Sequence, residues 1–224
     1  NSWRRIYAYE NGLRTRFAAQ YWDGQWANTY DNLYYYNAEG KLIEYIFRRF
    51  RDSTWMDDRK EKYFYNNVGL MDSLMKWHVI DDNTWKLYHL DLFHYSPSGK
   101  ITQLKAYSRH DSSWLQSGQK DYVYDSLDRL IRYSNIHIAW DTLITYRTRY
   151  DYYYDEFDNI IKKIEYFGED TTWNPGRKHE MEYDDYNNKL SDYEYHYNAS
   201  DSTWKYHVFN EYFHNYLTDF SYVK

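Results

Sequence analysis

Bulky apolar positions in this chain come in pairs with one residue between them. Tyr34 and Tyr36, Tyr63 and Tyr65, Phe93 and Tyr95, Tyr122 and Tyr124, and Tyr152 and Tyr154 form the series, which Met181 with Tyr183 and Tyr212 with His214 continue. Residues two apart share one face of a strand, whereas a helix separates them, so the pattern predicts strands. A polar stretch follows each pair, as in N-A-E-G-K-L (37–42), S-P-S-G-K-I (96–101) and D-E-F-D-N-I (155–160). Its fourth residue is Gly40, Gly69, Gly99, Asp128 or Asp158. These residue types tolerate the positive φ that a tight hairpin loop requires. An apolar residue then opens a return strand: Leu42, Met71, Ile101, Leu130, Ile160 and, one place late, Leu190.

Tryptophan sets the phase. Trp26, Trp55, Trp85, Trp114, Trp173 and Trp204 are separated by 29, 30, 29, 59 and 31 residues, and Leu143 fills the slot that the long gap skips. Trp3 begins a shorter first unit. A period of about 30 residues marks stacked supersecondary units. A short polar phrase precedes five of these Trp residues: D-S-T-W at 52–55 and again at 201–204, with close variants ending at Trp85, Trp114 and Trp173. Asp, Ser and Thr favour turns by bonding nearby backbone, so the phrase is the reverse turn between hairpins. The expected fold is all-β. It is a single repeat-array domain over residues 1–224, with about eight hairpins beginning near Trp3, Trp26, Trp55, Trp85, Trp114, Leu143, Trp173 and Trp204. These form one long, twisted antiparallel meander of fifteen or sixteen strands, an open spiral or partly closed.

Composition changes this picture in one respect. Leu, Ile, Val and Phe make up only 42 of 224 residues, too few for an ordinary sandwich core, but there are 31 Tyr and 10 Trp. Aromatic rings bury large areas while keeping a polar handle, and cross-strand aromatic pairs each contribute roughly 0.2–1 kcal/mol. The expected packing is therefore an aromatic ladder through Tyr34, Tyr36, Tyr63, Tyr65, Phe93, Tyr95, Tyr122, Tyr124, Tyr152, Tyr154, Tyr183 and Tyr212.

The net charge of −6 is spread along the chain, and no basic run of nucleic-acid type is present. Nor is there an apolar stretch of membrane-spanning length. Cysteine is absent, which is compatible with any compartment. The first residue is Asn, so the chain is expected to be a processed product or an excised piece from which any targeting signal has gone.

The motif Y-x-Y-[DN]-x-x-G-[KR]-[LI], as in Y-Y-Y-N-A-E-G-K-L (34–42) and Y-V-Y-D-S-L-D-R-L (122–130), is similar to the tyrosine–aspartate repeats of RHS-type proteins. The longer unit, with D-[ST]-x-W between hairpins, resembles repeat arrays in secreted and surface proteins of Bacteroidetes, many exported by the type IX system. The resemblance covers essentially the whole chain. Asp128 and Asp158 in place of Gly, and Leu143 in place of Trp, depart from it. It implies an extracellular or cell-surface location. It also implies O-glycan acceptors where Asp precedes Ser or Thr and then an aliphatic residue or Thr, which names Ser53, Thr142, Thr171 and Ser202. Ser112 and Asn83 depart from that pattern, and Ser73 matches it but falls just inside a strand.

Candidate chemistry is sparse. No nucleotide or phosphate motif occurs, and the nine His residues form neither H-x-x-x-H nor H-E-x-x-H, so no metal site and no cofactor are expected. The loop carboxylates Asp125/Asp128, Asp155/Asp158 and Asp184/Asp185 lack the ligand count of a calcium loop. The reading is a non-catalytic surface module: a spacer, adhesin or assembly part. A glycan-binding module using exposed Tyr and Trp rows is the first alternative, and an RHS-like shell around another polypeptide is the second. Expected partners are surface glycans or other surface proteins, without nucleic acid or a membrane span.

Overall fold

The computed structural model describes residues 2–81, 84–139, 145–169 and 172–212. Leu143 and His214 lie outside them. The described residues form fifteen strands and no helix, so none contains a helix long and apolar enough to cross a membrane. The strands are β1 (Trp3–Glu10), β2 (Leu13–Trp22), β3 (Trp26–Tyr36), β4 (Leu42–Arg51) and β5 (Thr54–Tyr65). Next come β6 (Met71–Asp81), β7 (Thr84–Tyr95), β8 (Ile101–His110), β9 (Ser113–Tyr124) and β10 (Leu130–Ile138). The last five are β11 (Thr145–Tyr154), β12 (Ile160–Glu169), β13 (Thr172–Tyr183), β14 (Lys189–Asn198) and β15 (Thr203–Glu211). Their order in the sheet is their order in the chain, an antiparallel meander. The residues cluster into two compact units, Asn1–Gly118 and Gln119–Lys224. Within each, contacts run between consecutive strands.

The loops after the tyrosine pairs follow one geometry. Gly40, Gly69, Gly99, Asp128, Asp158 and Asn187 all take positive φ, between 64° and 83°. The first loop residue accepts the backbone N–H four places on: Asn66 Oδ1 from Leu70, Asp125 Oδ1 from Arg129, Asp155 Oδ1 from Asn159 and Asp184 Oδ1 from Asn188. The return strand of the sixth loop opens on Lys189, which lies opposite Tyr183; Leu190 is therefore the second strand residue. The position of the turn sets that boundary, and the side chain there is free to be a lysine.

The loops before tryptophan are not uniform. At 52–53 two residues with φ of 47° and 65° join Arg51 to its partner Thr54. Where the same four letters recur, at 201–204, Asn198 pairs with Thr203 across a four-residue connection, 199–202, that ends on Asp201 and Ser202. Trp26, Trp55 and Trp204 meet Trp22, Phe50 and Tyr197 edge-on at 5.3, 5.1 and 5.2 Å, whereas Trp85 and Trp173 lie opposite Val79 and Gly168. What the phrase fixes is a Trp at the second place of the strand that follows the turn, with more than one loop length and partner permitted.

A bulge follows Trp26, Trp55, Trp85, Trp173 and Trp204. Register shifts leave one extra residue, the third after Trp, on the Trp-bearing strand: Thr29, Asp58, Tyr88, Gly176 and His207. One extra residue reverses which side the next side chains take. On β4 and β5, Phe50, Arg48 and Ile46 share a face with Trp55 and Lys60, while Tyr45 and Phe47 share the other with Glu61 and Tyr63. The units headed by Trp26, Trp55, Trp85 and Trp173 thus place Trp on one face and the aromatic pair, or Met181 with Tyr183, on the opposite one. The sheet has almost no aliphatic core. Ala18 and Ala19 are the only fully buried hydrophobic residues among those described, and the buried polar set includes Asp31, Asn32, Ser73, Asp91, Thr148, Asp151 and Ser191.

Candidate functional site

On the tryptophan face, cations cover aromatic rings. Lys60 lies opposite Trp77 and holds its ammonium 5.3 Å from that ring and 4.3 Å from Trp85. Arg149 repeats this over Tyr166 and Trp173 at 4.0 and 5.3 Å, and Lys178 over Tyr195 and Trp204 at 4.1 and 5.7 Å. Arg4 covers Trp26 at 4.6 Å, and Arg48 covers Trp55 at 5.5 Å. A cation within about 6 Å of a ring is attracted by its quadrupole, most strongly for Trp. Lys60, Arg149 and Lys178 each stand five residues before the second tyrosine of their pair. That spacing is present in the sequence but is masked by the other charges.

On the opposite face the second tyrosine of five of the pairs reaches a backbone carbonyl. Tyr36, Tyr65, Tyr95, Tyr154 and Tyr183 donate to the carbonyls of Arg14, Leu42, Met71, Leu130 and Ile160 at 3.0, 2.8, 2.6, 2.8 and 3.2 Å. The first members are more varied. Tyr34 meets Tyr45 at 5.4 Å, and Tyr122, Tyr133, Tyr150 and Tyr152 follow one another at 5.2, 6.1 and 6.5 Å. Tyr63 and Phe93 instead lie opposite Leu74 and Leu104, and Tyr152 opposite Lys163. Tyr124 is half-buried, and the Tyr212 ring lies 4.4 Å from the ammonium of Lys189. The rings therefore stack in short runs separated by aliphatic partners. Burial pushes the Tyr150 hydroxyl up to about 12, with its hydrogen bond to Glu165 adding to the effect. Burial likewise raises Tyr63, which donates to Glu61.

Charged groups pair within each unit. Asp31 is fully buried between Arg16 and Arg48. Asp151 accepts from Arg132 at 2.7 Å and lies 3.2 Å from Arg149. The loop carboxylates Asp125 and Asp155 are held below the ordinary range by hydrogen bonds, first from the Arg129 backbone and the Asn159 side chain respectively. The fifth loop residue reaches the positive-φ position of the next loop: Lys41 Nζ to the Gly69 carbonyl at 2.8 Å, Arg129 to Asp158 at 2.8 Å and Asn159 to Asn187 at 3.0 Å. The Gly-Lys and Asp-Arg dipeptides of the motif are thus links between neighbouring hairpins.

Ser53 and Ser202 are exposed and left-handed, at the two differently built turns. Thr142 and Thr171 lie outside the described residues, as does Asn83. Ser73 is buried within β6. A groove of about 690 Å³ in the first unit is lined by Arg49, Arg51, Trp55, Asp57 and Asp58 among others. In the second unit Glu194, His196 and His207 place one ligand atom each within 4.8 Å of the others. A search for histidines spaced along one segment misses this set, because the bulge at His207 brings it across from the next strand. The E-x-H of 194–196 and a His three places after Trp204 are its sequence signal.

No protein-family model and no curated protein sequence matches the chain. Among solved structures it is similar to a chain of the Photorhabdus luminescens Tc holotoxin pore, at 14% identity and a TM-score of 0.43. That match covers 87% of this chain and 11% of the toxin chain. A porin-like protein from Bacteroides uniformis matches at 8% identity and 0.30, covering 92% and 91% of the two chains. A Bacteroides fragilis protein of unknown function matches at 12% identity and 0.26, covering 82% and 92%. Likeness at this level assigns neither family nor function.

Proposed function

We propose that the chain is a non-catalytic repeat module outside the cell or at its surface, serving as a spacer or assembly part through its shape. The observation that carries this reading is the occupation of its aromatic groups. Trp26, Trp55, Trp85, Trp173 and Trp204 lie under cations of nearby strands, and Tyr36, Tyr65, Tyr95, Tyr154 and Tyr183 donate their hydroxyls to main-chain carbonyls. A ring whose face is covered and a hydroxyl that already has an acceptor serve the sheet first. The location rests on the resemblance to secreted repeat arrays, and O-glycans at Ser53 and Ser202 belong to the same reading. Intact mass of protein from its native host tests those glycans; a mass equal to the bare sequence removes them.

The groove at Trp55 favours one alternative, a glycan site, since carboxylates, guanidinium groups and an indole converge there. The Arg48 guanidinium over Trp55 and the edge contact with Phe50 oppose it by filling the positions a sugar ring needs. A glycan array with the purified chain separates the two. The spacer reading expects no specific binding, and saturable binding lost in Trp55→Ala contradicts it.

A further inference from the structure

We propose that Glu194, His196 and His207 bind one divalent transition-metal ion, Zn²⁺ being the ion this donor set suits, and that the ion ties β14 to β15. Two imidazoles and a carboxylate with an open position are ligands that zinc accepts. His196 Nε2 lies 2.9 Å from Glu194 Oε1, and the rings of His196 and His207 stack at 4.0 Å and 21°. All three ligand atoms fall within 4.8 Å of one another. Ligands around a tetrahedral zinc stand about 3.4 Å apart, given bonds of about 2.0–2.1 Å, so small side-chain rotations close the site.

The bulge is what makes the set possible. Glu194 lies opposite Val208 and Tyr195 opposite Tyr206, which leaves His207 as the extra residue. A bulge re-aims a side chain, and here it brings His207 over to the face of Glu194 and His196. The equivalent contact in other units joins Asp58 to Arg49 at 3.2 Å and Tyr88 to His78 at 4.9 Å. In a third unit Gly176 lies so close beneath Phe167 that a Cβ would come within 2.3 Å of the ring. The same slot therefore holds an ion pair, a ring pair and a ring over glycine, and in the last described hairpin a ligand set. Arg177, whose Nε is 4.0 Å from Glu194, competes for the carboxylate but is 54% exposed and free to swing away.

Titration calorimetry of the whole chain with ZnCl₂, after chelation and dialysis, tests the site. The expected result is one ion per chain and a higher thermal midpoint, since an ion bound only by the folded state stabilises it. His207→Ala and Glu194→Ala are each expected to weaken binding at least tenfold and to remove the thermal shift, whereas His110→Ala keeps both. His207 is exposed, and the ring contact that its variant removes is with the other imidazole ligand, His196. Co²⁺ in place of Zn²⁺ should give visible d–d bands that His207→Ala abolishes. Absence of saturable binding at one ion per chain, or equal binding by the wild type and both variants, overturns the proposal.

Discussion

At the scale of single residues, tyrosine does the work that aliphatic side chains do elsewhere, and it does so with its hydroxyl as well as its ring. Tyr95 illustrates the balance. Its ring is half-buried, and its hydroxyl donates to the Met71 carbonyl at 2.6 Å where the ladder ends. Replacing Tyr95 by Phe keeps the ring and leaves that carbonyl without its donor. The expected cost is about 1 kcal/mol, the net worth of one such bond. Tyr35, 45% exposed on the alternate side of its strand, is the control; Tyr35→Phe should stay within about 0.5 kcal/mol. Urea midpoints of the two variants check the pair. Equal values would mean that the hydroxyl contributes nothing at the carbonyl.

At the scale of elements, the bulge after five of the Trp residues takes one extra residue out of the pairing. Deleting Tyr88 removes the extra residue from β7 and makes Leu87 and His89 consecutive opposite Trp77 and Lys76, so Trp85 and the pair Phe93–Tyr95 keep their opposite faces. Tyr88→Ala keeps the count and loses only the ring contact with His78. The deletion is therefore expected to lower the denaturation midpoint by about as much as the substitution, and a far larger loss would argue against Tyr88 as the unpaired residue of the strand. This is also where the sequence stops being legible. Strand pairs, loop positions of positive φ and the 30-residue phase can be read from Tyr, Gly, Asp and Trp because each reports a local backbone requirement. The bulge has no residue preference, being Thr29, Asp58, Tyr88, Gly176 and His207 in turn. A feature set by strand register rather than by side-chain type leaves no letter behind. The cation positions and the Glu194–His196–His207 set depend on that register, so they became visible only with the strands in place. Lys189 at the head of β14 shows the converse, a position fixed by its turn and indifferent to hydrophobicity.

At the scale of the whole molecule, tyrosines buried on one face couple folding to alkaline pH. Tyr150 ionises near 10.0 in an unfolded chain and is raised to about 12 in the fold, and Tyr63 and Tyr152 are raised too. A raised folded value means that the unfolded chain releases its protons first. The stabilisation is thus complete below pH 10, declines between about 10 and 12, and is lost above that. Absorbance of tyrosinate should rise in one cooperative step together with loss of strand circular dichroism. Gradual titration near pH 10 with the sheet intact would contradict this.

Modularity is the central claim, and it follows from contacts that run between consecutive strands within each unit in an array whose stability is a sum of neighbour terms. Excising residues 56–85 joins Trp55 to Lys86 and preserves the phase: Tyr88 falls three places after the retained Trp, and Lys41 faces the Gly99 loop instead of Gly69. Urea unfolding of that shortened chain, followed by circular dichroism, is the most direct test. One hairpin's worth of residues should be dispensable, giving a cooperative transition and an unchanged strand signal per residue. A chain that has lost its sheet, or that unfolds without a transition, would contradict the repeat architecture.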